Sequence, residues 1–199
     1  TTVPSCATFT AGTGVPTGTP LNANVGANSA LITASDGTAI VNDKFIITVA
    51  NTHDSPTISS TAVTAATEDT AYTYTVTAAD VDSGDTITLT GTTVPSWATF
   101  TAGTGVLTGT PLNANVGANS VVITASDGTA SVTDTFTITV ANTNDAPTIS
   151  STAVTAATED TAYTYTVAAA DVNSGDTITL TGTTVPSWAT FTAGTGVLT

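Results

Sequence analysis

One long period runs through this chain. The segment Ala141-Asn142-Thr143-Asn144-Asp145-Ala146-Pro147 restates Ala50-Asn51-Thr52-His53-Asp54-Ser55-Pro56 from 91 residues earlier, and the same offset relates Trp188 to Trp97, Trp97 to Cys6, Asp171 to Asp80 and Asp127 to Asp36. Residues 144–199 differ from 53–108 at four places only: Asn144/His53, Ala146/Ser55, Ala168/Thr77 and Asn173/Asp82. Self-similarity at a fixed interval is the mark of tandem structural units, and 91 residues is an ordinary size for one domain. The 199 residues therefore hold the C-terminal part of one repeat (1–51), one complete repeat (52–143) and the N-terminal part of a third (144–199). A partial repeat cannot close a core. The expectation is a segment of a longer array, the alternative being end pieces that complete each other between neighbouring chains.

Within the complete repeat the hydrophobic period is two. Tyr72, Tyr74 and Val76 alternate with Thr73, Thr75 and Thr77, and Ile87 and Leu89 alternate with threonines in the same way. Ser120–Ala125 and Asp134–Val140 supply two more strands, a first begins after Pro56, and short ones surround Phe100 and Val106-Leu107. Turns are signalled by Ser83-Gly84-Asp85, Gly103-Thr104-Gly105, Gly109-Thr110-Pro111 and Asp127-Gly128. Seven short strands at this spacing predict an all-β fold of tandem two-sheet sandwiches. Trp97, Phe100, Tyr72, Tyr74 and Phe136 are expected between the sheets.

Charge narrows the function. One Lys and no Arg stand against fifteen acids, a net charge of −14. Phosphate contacts need clustered bases, which argues against nucleic acid, and anionic membrane surfaces are excluded on the same ground. No apolar run approaches the roughly 18 residues of a membrane span. Such a chain attracts cations. Catalysis fails on inventory: the single His, Lys and Cys each stand at a different position of the repeat and cannot build a triad or a zinc site. Cys6 replaces a Trp of the other copies and reads as a drifted core residue, and no intrachain disulfide is possible. Lysine–asparagine cross-links are disfavoured too, since Lys44 has Thr135 as its counterpart. No enzyme is expected.

Five motifs follow one another in a fixed order: Thr67-Glu68-Asp69-Thr70, Ala79-Asp80-Val81-Asp82-Ser83-Gly84-Asp85, Gly103 to Pro111, Ala125-Ser126-Asp127-Gly128, and Asn142-Thr143-Asn144-Asp145-Ala146-Pro147. In that order the chain resembles bacterial cadherin-like tandem repeats, the dystroglycan-type cadherin-like and Ig-type repeats of large surface adhesins. The resemblance implies seven-stranded Greek-key Ig/cadherin-like β-sandwiches arranged in series, with calcium at the junctions. Carried over by position, the ligands of one joint are Asn51, Asp54, Asp80, Asp82 and Asp127; those of the next are Glu68, Asn142, Asn144, Asp145, Asp171 and Asn173. Glu159 would serve a third. An acidic Asp-Arg-Glu motif of cadherins is missing, its place taken by Leu107-Thr108-Gly109-Thr110, which implies fewer ions per joint and weaker binding.

The residues support this reading independently of the family. Calcium takes six to eight oxygens and tolerates irregular geometry, and Asp80, Asp82 and Asp85 on one short loop would otherwise repel one another. The competing reading makes these Asp and Asn residues ordinary turn formers. His53, where the next copy has Asn144, reads as a tolerated linker residue rather than a ligand. The expected function is a structural spacer of a giant extracellular or cell-surface adhesin, or the body of an extracellular filament, with neighbouring repeats as partners and calcium stiffening the joints. The alternative is a carbohydrate- or surface-binding sandwich that recognises a cell-surface glycan or protein.

Overall fold

The alternation in the complete repeat becomes burial. In the computed structural model, which describes residues 2–173 and 175–199, Tyr72, Tyr74 and Val76 are nearly sealed from solvent while Thr73, Thr75 and Thr77 are exposed. Thr1, where the 1–51 segment begins, and Ser174 lie outside the described residues.

Two sheets face each other. One is three-stranded, with Val106–Gly109 between Ala98–Thr101 and Tyr72–Thr75, all antiparallel. The other orders Ala65–Thr67, Ser131–Ala141, Gly117–Ser126 and Thr88–Thr93. Its long hairpin, Gly117–Ser126 on Ser131–Ala141, pairs from Gly117↔Val140 to Ser126↔Ser131. A further small pair joins Thr57–Ile58 to Ala78–Ala79, so the chain that leaves the Tyr72 strand goes on to hold the strand that enters the repeat. This is the all-β sandwich that the period-two pattern predicts.

Three details differ from the sequence reading. Ala65–Thr67 forms a parallel pairing with Thr139–Ala141; Ala-Ala-Thr carries no large alternating side chains, so nothing in its pattern announced a strand. The strand placed around Ile87 starts at Thr88 and runs on through Gly91 to Thr93, with a register shift opposite Val122/Ile123. The strand beginning at Tyr72 stops at Thr75 before resuming at Ala78.

Leu107, Val121, Ile123 and Ile138 are fully buried between the sheets, with Trp97, Phe100 and Phe136 packed against them. Aromatic edges meet faces: Tyr72 and Trp97 lie 5.7 Å apart at 87°, Tyr74 and Phe136 5.5 Å apart at 89°, the arrangement ring quadrupoles favour. Polar tips are satisfied as well. Tyr72 Oη donates to the Val63 carbonyl at 2.7 Å, and Trp97 Nε1 to Asn119 Oδ1 at 3.0 Å. Gly105 closes the tight turn before Val106 at φ +69°, and a Cβ there would lie 2.5 Å from the Val76 carbonyl oxygen. No other residue fits.

The flanking segments repeat pieces of this plan. Ala7–Thr10 pairs with Val15–Gly18, and Gly26–Ser35 with Ile40–Val49, in the registers of their counterparts. In residues 144–199, Tyr163 and Trp188 keep the T-shaped contact at 5.5 Å.

Candidate metal centres at the joints

Each joint is built around one side chain that clips the linker to the repeat that follows. At the first joint this is Asp82. Its Oδ1 accepts from Asn51 Nδ2 at 3.0 Å and its Oδ2 from the Asp54 backbone N–H at 2.7 Å. Those bonds to its ionised form, the backbone N–H of Asp54 first, hold the Asp82 carboxyl below the ordinary carboxylate range. The loop folds on itself because Asp80 Oδ1 accepts the Asp82 N–H at 2.8 Å, the local Asx bond that makes Asp a turn residue. Asn22 closes the other side, donating to Asp54 Oδ2 at 2.9 Å.

Asp127 comes from the far hairpin of the same repeat. Its loop turns at Gly128 with φ +97°, and Asp127 Oδ1 accepts the Thr129 and Ala130 N–H groups, each at 2.7 Å. These backbone bonds, Ala130's first, hold its carboxyl low against the opposing effect of burial. With Oδ1 anchored, Oδ2 faces the Asp80–Asp85 loop. One carboxylate oxygen from each of Asp80, Asp85 and Asp127 lies within 4.8 Å of the others. His53 enters the same space: Nδ1 is 3.5 Å from Asp82 Oδ2 and 3.8 Å from Asp85 Oδ2, and Nε2 is 3.5 Å from Asp127 Oδ2.

The second joint repeats the skeleton. Asn173 stands where Asp82 stands, accepting the Asp145 N–H on Oδ1 and donating through Nδ2 to Asn142 Oδ1 at 3.2 Å and to the Thr143 carbonyl at 3.1 Å. Asp171 Oδ1 accepts the Asn173 N–H at 2.8 Å, and Asn113 donates to Asp145 Oδ2 at 2.8 Å. From the preceding sandwich comes Glu68, only 1% exposed, whose Oε2 accepts the Thr143 N–H at 3.2 Å. Asn144 turns its amide onto the Asp145 carbonyl at 2.8 Å and is exposed.

All five residues assigned to the first joint thus meet there. At the second, Asn142, Asp145, Asp171 and Asn173 are linked directly and Glu68 through Thr143, whereas Asn144 makes only its local bond. Sequence reasoning left four participants out. Asp85 was indistinguishable from a turn former, Asn22 and Asn113 sit in short 3₁₀ turns remote in sequence, and His53 read as a tolerated linker residue. The signal available was that two of the four differences between copies, His53/Asn144 and Asp82/Asn173, fall on one loop-and-linker pair.

Among the described residues, the buried side-chain oxygens and nitrogens without a hydrogen-bond partner are Glu68 Oε1, Asp80 Oδ2, Asn113 Oδ1 and Asp127 Oδ2. All four are oxygens and all four belong to the joints. A buried acceptor left unpaired costs about 1–3 kcal/mol and a charged one more, and these four are confined to the two joints. Lys44 is the only lysine and the chain has no arginine.

The family model described as "Putative Ig domain" matches residues 55–141 and again residues 146–199, well over half of the chain. The chain belongs to this family. Its two matches flank the Asn142–Asp145 linker, so the Ig-domain units follow one another in tandem. Among solved structures, extracellular cadherin domains 1–4 of protocadherin gamma B7 align over 96% of this chain and 54% of that one, at 17% identity and a TM-score of 0.50, a likeness of fold. An endo-fucoidan hydrolase of glycoside hydrolase family 107 aligns at 30% identity over 72% of this chain but 23% of its own, with a TM-score of 0.41. Extracellular domains 3–5 of Drosophila OTK align over 71% of this chain and 48% of their own, at 15% identity and a TM-score of 0.36. The chain thus spans less than a quarter of the hydrolase and about half of the protocadherin fragment. No curated protein matches it. Among the described residues the acidic clusters lie at the first joint, and no helix is long and apolar enough to cross a membrane.

Proposed function

We propose that this chain is a run of spacer repeats in an extracellular or cell-surface adhesin or filament, bounded as 1–51, 52–143 and 144–199 and stiffened by calcium at its joints. The observation that carries the reading is the concentration of partnerless buried acceptors at the joints. Apart from His53 at the first joint, the donor atoms there are oxygens and irregularly placed, which suits calcium over ions that demand strict geometry. At the first joint Asp80, Asp85 and Asp127 would hold the ion, with Asp82, Asp54 and Asn51 ordering the linker around it. At the second, Asn142, Asp145, Asp171 and Asn173 stand where Asn51, Asp54, Asp80 and Asp82 stand at the first, Glu68 reaches in from the preceding sandwich, and Asn144 joins them if its amide turns.

Bound calcium would supply the positive charge that one Lys and no Arg leave scarce. The residues do the mechanical part: Asp82 and Asn173 fix the linker to the following sandwich, while Glu68 reaches the linker from the preceding one. Bridged in this way, two sandwiches move as one body. Without the bridge, the carboxylates of Asp80, Asp85 and Asp127 stand within 4.8 Å of one another at the first joint and repel. Near-identical copies suit a spacer, in which length matters and each unit does the same work.

Calorimetric titration of the chain with calcium tests the reading. Saturable binding, weakened in Asp80→Asn and in Glu68→Gln, is the expected result. Heats no larger than those of dilution, or binding indifferent to both substitutions, would remove calcium from the account.

A further inference from the structure

His53 is the sole histidine, and its imidazole stands among carboxylates on three sides. Nδ1 looks at Asp82 Oδ2 (3.5 Å) and Asp85 Oδ2 (3.8 Å), and the three atoms lie within 4.8 Å of one another. Ligands about 2.0–2.2 Å from a tetrahedral ion are themselves separated by roughly 3.4 Å. The two separations from Nδ1, 3.5 and 3.8 Å, are close to that spacing. On the other edge of the ring, Nε2 faces Asp127 Oδ2 at 3.5 Å. The Asp127 side chain is 0% exposed, and this oxygen has no hydrogen-bond partner while Oδ1 is held by two backbone N–H groups.

We propose that the first joint carries a site for a nitrogen-preferring divalent cation of the zinc type, with His53 Nδ1, Asp82 and Asp85 as ligands and Asp127 as the positioning residue. With the ring proton on Nε2, beside Asp127 Oδ2 at 3.5 Å, the Nδ1 lone pair is free for the ion. That is the carboxylate–histidine–metal arrangement that fixes tautomer and ring orientation. Imidazole nitrogen favours zinc, nickel or copper, whereas calcium takes oxygen. The second joint lacks two of the three ligands, since Asn144 replaces His53 and Asn173 replaces Asp82. Four positions separate residues 53–108 from 144–199, and two of them convert one kind of joint into the other. The two joints of one chain are chemically unequal, and the first responds to an ion the second ignores. Both sites draw on Asp85, so the two ions compete there, but the decisive donor of this one is the His53 nitrogen, which calcium does not use.

The test uses the whole chain, titrated with zinc alone by calorimetry and with cobalt by visible absorption, while the ¹⁵N resonances of the single imidazole are followed. One zinc per chain is expected, with Nδ1 and not Nε2 shifting on binding. His53→Asn should abolish the zinc heat and the cobalt absorption while leaving calcium binding in place. Asp127→Asn should weaken zinc about 10- to 100-fold, as removal of an orienting carboxylate does. Cys6→Ser should change nothing. Zinc binding that is absent from the wild type, equal in His53→Asn, or lost in Cys6→Ser would overturn the proposal. Calcium binding without zinc binding defeats this inference alone, and zinc without calcium defeats only the calcium reading.

Discussion

Replacing Glu68 by glutamine separates a ligand from a structural hydrogen bond. Glu68 is 1% exposed; Oε2 receives the Thr143 N–H at 3.2 Å, and Oε1 has no partner. A buried ionised carboxylate without compensation costs several kcal/mol, whereas a neutral orphan amide costs about 1–3 kcal/mol. In chelator, Glu68→Gln should therefore stabilise the complete repeat by roughly 1–3 kcal/mol, as glutamine keeps an acceptor for Thr143 and sheds the charge. For a domain of this size each kcal/mol moves the melting temperature by about 4–8 °C. Calcium should act unequally on the two proteins. At a hundred times its dissociation constant a ligand contributes about 2.7 kcal/mol, and the wild type should show most of that increment while the variant shows little. Thermal unfolding of both proteins, with calcium and with chelator, reads all four values. A variant less stable than the wild type by the same amount in both conditions would make Glu68 a structural group and refute the reasoning.

Other expectations follow from the same packing. Leu107, fully buried between the sheets, should cost about 2–5 kcal/mol as Leu107→Ala in denaturant unfolding; a change within experimental error would mean the core closes elsewhere. Gly105→Ala should destabilise despite adding a methyl, because φ is +69° and the new Cβ would meet the Val76 carbonyl oxygen; a neutral or raised melting temperature would contradict that geometry. Asp82 and Asp127 ionise more readily folded than unfolded because backbone N–H groups bond their charged forms. Their stabilising effect is thus complete above the ordinary Asp value of about 3.9 and lost as pH falls through their lower folded values. Stability in chelator measured from pH 6 to 2 should lose an acid-dependent component in Asp82→Asn, and an unchanged profile would remove these bonds from the account.

The sandwich was legible because burial follows alternation: Tyr72, Tyr74 and Val76 could only face inward, and Leu107 and Ile138 follow the same rule. Ala65–Thr67 was not legible, since its pairing depends on Thr139–Ala141 and not on its own side chains. At the joints, the repeat period exposed Asp80, Asp82, Asp127 and the linker asparagines as a recurring set. What it could not expose was orientation. Asn144 and His53 occupy one repeat position, yet Asn144 bonds its neighbour's carbonyl while His53 points among three carboxylates. A substitution in one copy looks like drift until the side chains around it are placed. Asn22 and Asn113 illustrate the same limit, because each closes a joint from a turn about thirty residues away in sequence.

Small-angle X-ray scattering of this chain in saturating calcium and then in chelator bears most directly on the joints. The account predicts a longer maximum dimension and a rod-like profile with calcium, and a shorter, broadened distribution of distances once the ion is removed. Superimposable curves in the two conditions would contradict it.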